Sequence, residues 1–160
     1  MSKKTTKKRS EGQKHICENR KGRFEYHIEE RFEAGLVLTG SEVKSLRQGK
    51  ANITNAYADL RGGELYLFQA HIAPYEKGGY ANHEPERRRK LLLHRAEIER
   101  LIGKTQIKGF TLIPLKMYFK KHKVKIELGL GIGKKDHDKR ATIKERESKR
   151  QLQRTLKKFR

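Results

Sequence analysis

"FTLIPLKMYFKKHKVKIELGLGIG", residues 110–133, carries two apolar runs joined by the cationic stretch Lys120-Lys121-His122-Lys123. In the second run Val124, Ile126, Leu128, Leu130 and Ile132 recur at every second position, with Lys125, Glu127, Gly129 and Gly131 between them. A period of two sends alternate side chains to opposite faces, so this run reads as a strand with one apolar face. The stretch therefore predicts a β-hairpin, residues 110–119 with 124–132. Pro114 has no N–H to give a ladder and predicts an edge or a bulge at that point. Gly129, Gly131 and Gly133 predict a strand end that flexes or runs close to another backbone.

Outward from the hairpin the chain keeps the same character. Phe24, Tyr26 and Ile28 alternate with Glu25, His27 and Glu29, a strand pattern that continues to Leu36-Val37-Leu38. Ser41 is placed to cap a short helix over 42–46 that stops near Gly49. Residues 53–60 and 64–72 flank Arg61-Gly62-Gly63, a second hairpin, because glycine supplies the positive φ of a tight turn. Ile98, Leu101 and Ile102 fall at i, i+3 and i+4 and predict a helix over 95–102 with Gly103 as its stop. Between these elements, residues 73–90 form a long loop ending in Arg87-Arg88-Arg89-Lys90, and loops of that length in a small domain commonly carry function. The expected fold is mainly β: a small closed antiparallel barrel with two or three short helices, since closure removes exposed strand edges.

Charge divides the 160 residues into three parts. The chain holds 40 Lys and Arg against 19 Asp and Glu, a net charge of +21. Residues 1–23 carry +7 and residues 134–160 carry +8, leaving +6 for the body between them. The expected organisation is a basic flexible arm over 1–14, a folded domain over 15–133, and a basic tail over 134–160. Such an excess points to a polyanionic partner, nucleic acid or an anionic membrane. The tail lacks the broad apolar face of an interfacial helix, which favours nucleic acid. Tyr57, Tyr66, Phe68, Tyr75, Tyr80, Tyr118 and Phe119 offer stacking faces for bases.

Several other chemistries fail on spacing. A membrane span needs about 20 consecutive apolar residues, and Leu91-Leu92-Leu93 is typical of the longest runs present. No apolar stretch follows the basic N-terminus, which predicts a cytoplasmic protein without an export signal. Cys17 is the single cysteine, so no internal disulfide or multi-thiolate metal site is available. A nucleophilic role for it would need a base, with His15 the sequence-local candidate. A phosphate loop built on Gly133-Lys134 would have Leu128 in place of its first glycine and Lys135 in place of its hydroxyl. Asp136-His137-Asp138 has metal-ligand side chains, but neighbours in sequence point apart, so no metal or cofactor is expected. The aspartates read instead as helix-start chemistry, where the macrodipole favours anions. Beyond them Leu152, Leu156 and Phe159 make a thin stripe among cations. That is too little apolar surface to offset chain entropy, which predicts a tail unstructured when free and helical against a partner.

Three blocks in order then resemble one family. "RFEAGLVLTGSEVKSLRQGKANI" (31–53), "NHEPERRRKLLLHRAEI" (82–98) and "GKKDHDKR" (133–140) are similar to the bacterial SsrA-binding proteins, the small protein B family that partners transfer-messenger RNA. The resemblance implies a barrel related to the oligonucleotide-binding fold and no catalysis. It implies trans-translation: a grip on the transfer-RNA-like domain of that RNA, and delivery to ribosomes stalled without a stop codon. Elongation factor Tu belongs to the implied delivery complex, the small ribosomal subunit and its RNA to the implied target, and the protein is expected as a monomer. Asn19, Glu33 and Leu92 match positions linked to gripping the RNA, with Arg87, Arg88, Arg89 and Lys90 beside them. Gly133, Lys134, Lys135, His137, Asp138, Lys139 and Arg140 match the root of the tail, which in the family meets the decoding centre and continues as a helix in the empty messenger channel. His94 stands where some relatives carry asparagine. A constitutive ribosomal protein, and an RNA-processing enzyme using His137 and its flanking aspartates as acid and base, are the competing readings.

Overall fold

The computed structural model describes residues 12–107 and 109–158. Residues 1–11 of the expected arm, and Phe159, lie outside the described residues. The first described element is strand β1, Gln13–Glu18, so Gln13 and Lys14 belong to the sheet. Helix α1, Arg20–Glu25, follows, then β2 (Tyr26–Leu36), α2 (Gly40–Arg47), β3 (Ala51–Asn52), β4 (Tyr57–Arg61), β5 (Glu64–Phe68) and β6 (His71–Ile72). After a 3-10 turn at Gly79–Ala81 come β7 (Arg89–Leu92), α3 (Arg95–Thr105), β8 (Phe110–Lys120), β9 (Lys123–Gly133) and α4 (Asp136–Lys158).

Seven strands form one sheet in the order β1-β8-β4-β5-β7-β2-β9, and β8 pairs with β9 as well. The pairings therefore run in a ring, but it is held narrowly at two points. Residues Ala58 and Leu112 are the one registered pair between β4 and β8, and β2 meets β7 only at Gly35–Leu92 and Leu36–Leu91. The architecture is mainly β, as expected, with three short helices, α1 to α3, and a fourth, α4, in the tail among the described residues.

The opening hairpin forms in full, from Phe110↔Ile132 to Lys120↔Lys123, with a register shift between Pro114 and Lys116 where proline predicts one. Val124, Ile126, Leu128 and Leu130 are buried, and Leu115, Met117, Leu65, Leu67 and Ala34 are buried with them. Each such leucine or isoleucine taken from water contributes roughly 1.5–3 kcal/mol. The face opposite is where Gly131 matters: a Cβ there would lie 2.5 Å from the His27 carbonyl oxygen, so β2 and β9 approach closely only because the side chain is missing. The second hairpin also forms, turning through Gly62 (φ 60°) and Gly63 (φ 79°), though its strands are shorter than expected. Ile53 is buried in the turn before β4, and a positive φ at Gln69 ends β5 before β6.

Four local readings change. Phe24 is helical, because the Asn19 side chain accepts the Gly22 N–H at 2.8 Å and starts α1 where alternation suggested strand. Thr39, not Ser41, caps α2, with the Glu42 carboxylate accepting the Thr39 N–H at 2.8 Å. Gly103 does not stop α3, which runs to Thr105 and is tied to β2 where Glu30 receives Arg100 (3.1 Å) and Lys104. The tail departs most: Asp136–Lys158 is one continuous helix in the unbound chain. Its helix-forming composition, Asp136 and Asp138 in the first turn, Lys157 and Lys158 in the last, and the i,i+4 pair Glu145–Lys149 all favour that state. It buries no residue, so these local terms hold it without a packed face.

Candidate nucleic-acid interface

Glu33 lies on the outer face of β2, between inward-facing Phe32 and Ala34. Tyr118 donates its hydroxyl to one carboxylate oxygen, and Lys120 Nζ reaches the other at 2.9 Å. The Tyr118 hydrogen bond, opposed by partial burial and reinforced by Lys120 and the charge of Lys125, holds the Glu33 carboxyl below its ordinary pKa. Burial, then the bond to Glu33, pushes the Tyr118 phenol up. Glu33 is thus a fixed, ionised acceptor rather than a swinging side chain.

Two positions along the same strand face, Gly35 pairs with Leu92 on one side and Lys125 on the other. Leu91 turns into the core at 1% exposure while Leu92 points out at 51%. A Cβ on Gly35 would lie 3.4 Å from Leu92 Cβ and 3.7 Å from Lys125 Nζ, so glycine lets the leucine and the ammonium close over the strand. Glu33, Leu92 and Lys125 therefore form one outer patch of acceptor, apolar surface and cation. Sequence pattern alone would have put Leu92 in the core with its neighbours, and it missed both Lys125 and the Tyr118 bond, which depend on register across three strands.

Other expected contact residues turn out to be internal. Asn19 is 1% exposed; besides starting α1 it donates from Nδ2 to the Pro114 carbonyl at 3.0 Å and from its backbone to Leu115 at 2.8 Å. It clamps α1 onto the bulge that proline creates, and offers nothing to solvent. Arg89 is fully buried, donating to Glu42 (2.8 Å), Ala70 O (2.7 Å) and Pro85 O (3.0 Å). Arg87 also holds Glu42, at 2.8 and 3.2 Å, and Lys90 pairs with Glu64. Burial works to raise the Glu42 pKa, but the Arg87 bonds, the Thr39 amide and the nearby Arg89 outweigh it and hold the carboxyl at about 2. Among the described residues, Arg88 alone of the basic run has no carboxylate partner, its guanidinium lying 4.7 Å from the Tyr66 ring centre. Among the aromatic residues considered for stacking, Tyr80 is fully exposed, Tyr57 is stacked on Phe68, and Tyr118 and Phe119 are buried.

The root of the tail lies at the far end of β9. Gly133 pairs with Tyr26, and the Lys134 N–H donates to the Glu25 carbonyl at 2.7 Å, anchoring the chain to the end of α1. Lys135, His137, Asp138 and Arg140 are exposed on and just before the first turns of α4, with Lys139 half-buried. His137 and Asp138 meet each other at 3.0 Å on open surface, not in a cleft that could enclose a reacting group. Among the described residues no three His, Cys, Asp or Glu side chains converge as a metal site, and no helix is long and apolar enough to cross a membrane. Eight residues of strand separate Lys125 from Gly133, about 26 Å at the usual rise per residue. The outer patch and the tail root are two places on one rigid strand.

The family model described as SmpB protein matches residues 16–158. The chain belongs to the SsrA-binding protein family. Members at comparable distance include an SsrA-binding protein of Trichodesmium erythraeum, 53% identical over 96% of this chain and 99% of its own. That of Syntrophobacter fumaroxidans is 57% identical over 91% of this chain and 90% of its own. A solved structure described as "tmRNA-SmpB: a journey to the center of the bacterial ribosome" superposes with a TM-score of 0.65 at 53% identity, covering 77% of this chain and 87% of that one. The SsrA-binding protein match runs from β1 through α4, so the outer patch, the β9 strand and the tail root all fall within it.

Proposed function

We propose that this chain is the RNA-binding adaptor of trans-translation and not an enzyme. It binds the transfer-RNA-like domain of transfer-messenger RNA, carries it with elongation factor Tu to ribosomes stalled on messages lacking a stop codon, and probes the decoding centre and empty messenger channel with its C-terminal helix. It works in the cytoplasm as a monomer, on a barrel of the oligonucleotide-binding type, a reading supported by the pairing of β8 with both β4 and β9.

The observation that carries this reading is the separation of two unlike surfaces along β9, within a family named for its RNA. At one end, Glu33 can accept hydrogen bonds from base amines or a ribose hydroxyl, Leu92 can cover an unstacked base, and Lys125 can meet a phosphate. At the other end, α4 presents the cations of a tail with net charge +8 on a helix that buries none of its own residues. An adaptor requires such a division, one surface for its cargo and one for its destination. Glu33, Leu92, and Arg88 of the basic run are the RNA contacts of this reading, with Asn19, Arg87, Arg89 and Lys90 holding the scaffold. Gly133, Lys134, Lys135, His137, Asp138, Lys139 and Arg140 form the ribosome-facing root.

The test separates the two ends. A chain ending at Lys135 should bind the transfer-RNA-like domain with nearly unchanged affinity and fail to support tagging on stalled ribosomes. Leu92→Asp should lose the RNA. Retained tagging by the shortened chain, or equal affinity of the full chain for an ordinary transfer RNA of the same length, would overturn the proposal.

A further inference from the structure

The cations of this protein fall into two kinds. Lys50, Lys90, Lys116 and Lys120 each lie against a carboxylate, which cancels most of their field. Lys14, Arg47 and Lys121 are exposed, as is the imidazole of His122 beside them, and among the described residues these side chains have no ion pair or hydrogen bond. These four line a single concavity together with Phe119 and Gly12. They come from separate elements: Lys14 faces Phe119 across the β1–β8 ladder, Arg47 ends α2, and Lys121 and His122 form the β8–β9 turn.

The turn supplies an independent observation. Lys121 (φ 47°) and His122 (φ 66°) both occupy the left-handed region, in a two-residue turn that favours Asn-Gly. Two bulky side chains held there run against local backbone preference, the kind of departure that marks functional positions. His122 also lines the groove of Leu92 and Lys125, which makes the concavity continuous with the outer patch around the hairpin tip.

We infer that the concavity of Lys14, Arg47, Lys121 and His122 over Phe119 is a second RNA subsite, one that holds the phosphate backbone where it leaves the Glu33–Leu92 patch. This rests on the reading that the partner is RNA. Its cations meet phosphates, and the small exposed edge of Phe119 lies under the sugar. Phosphate contacts position without reading bases, so this subsite contributes affinity and salt dependence and leaves selectivity to the outer patch.

The test uses the full chain, the transfer-RNA-like RNA, and an unrelated duplex of equal length, with affinity measured across salt concentrations. Lys121→Asn combined with His122→Gly gives the turn its preferred residues, so the thermal midpoint should hold or rise while RNA binding weakens. Every phosphate no longer neutralised should make the dependence of log K on log salt shallower by about 0.7–0.9, equally on both RNAs. Arg47→Gln, on an exposed helix end, repeats the measurement without touching the turn. Unchanged slopes in both variants would overturn the subsite. A wild-type chain that binds both RNAs alike would instead overturn the proposed function, with the slopes still readable.

Discussion

Glu33 and Glu127 stand directly opposite one another across the β2–β9 ladder. Like charges so placed repel, and here each carboxylate has its own partners. Glu127 takes Arg31 and Lys116, both at 3.1 Å, and Glu33 takes Tyr118 and Lys120. The outer face of β2, β9 and β8 is therefore a lattice of alternating charge that keeps Glu33 ionised and aimed outward. Tyr118→Phe removes the most buried of the Glu33 links and should lower unfolding free energy by about 1 kcal/mol. Lys120→Ala, at a half-exposed pair, should cost less than about 0.5 kcal/mol. Urea unfolding of both variants checks the order.

Glu42 is the hub of the interior. It joins α2 to the 73–88 loop and to β7 through Arg87 and Arg89, and removing its charge would strand the buried Arg89 guanidinium. Glu42→Gln should destabilise the fold by about 3–5 kcal/mol, read from the denaturant midpoint.

The same group sets the acid limit. Its folded pKa of about 2 lies below an unfolded value near 4.3, so its contribution is complete above about pH 5 and is lost as pH falls toward 2. A shift of that size corresponds to roughly 3 kcal/mol. Thermal midpoints measured from pH 6 to pH 2.5 should fall steeply for the wild type and more gently for Glu42→Gln; parallel profiles would show that Glu42 is not the controlling group.

Gly131 and Gly133 differ by two positions and should differ in tolerance. A methyl at Gly131 meets the His27 carbonyl oxygen, which is backbone and cannot turn aside, whereas nothing lies within 4 Å at Gly133. Gly131→Ala should cost about 1–3 kcal/mol and Gly133→Ala close to nothing. Paired thermal melts decide it.

Helix α4 buries no residue, so ending the chain at Lys135 should change the stability of the folded part by no more than about 0.5 kcal/mol. Circular dichroism should lose the helical signal of the removed segment while the melting midpoint stays in place. A large drop would mean that α4 braces the domain.

Much of this arrangement was legible in pattern. Alternation in 124–132 located β9, Pro114 located the bulge, Gly62-Gly63 located a turn, and the uneven charge marked the tail. The errors share one cause. Asn19 was expected to grip the RNA and is a buried clamp under the proline bulge; Arg89 was expected with its neighbour Arg88 as an RNA contact and is buried; Phe24 was expected in a strand and is helical. In each case a side-chain partner that periodicity does not register decided the outcome: Pro114 for Asn19, Glu42 with the carbonyls of Ala70 and Pro85 for Arg89, and the Asn19 cap for Phe24.

By itself the sequence determined a mainly β domain with a cationic tail, because periodicity and net charge are properties of neighbours along the chain. Only the tertiary structure decided which members of a charged or apolar run face outward. Glu33, Leu92 and Lys125 come together from three strands, and a one-residue change of register would send every one of them to the opposite face.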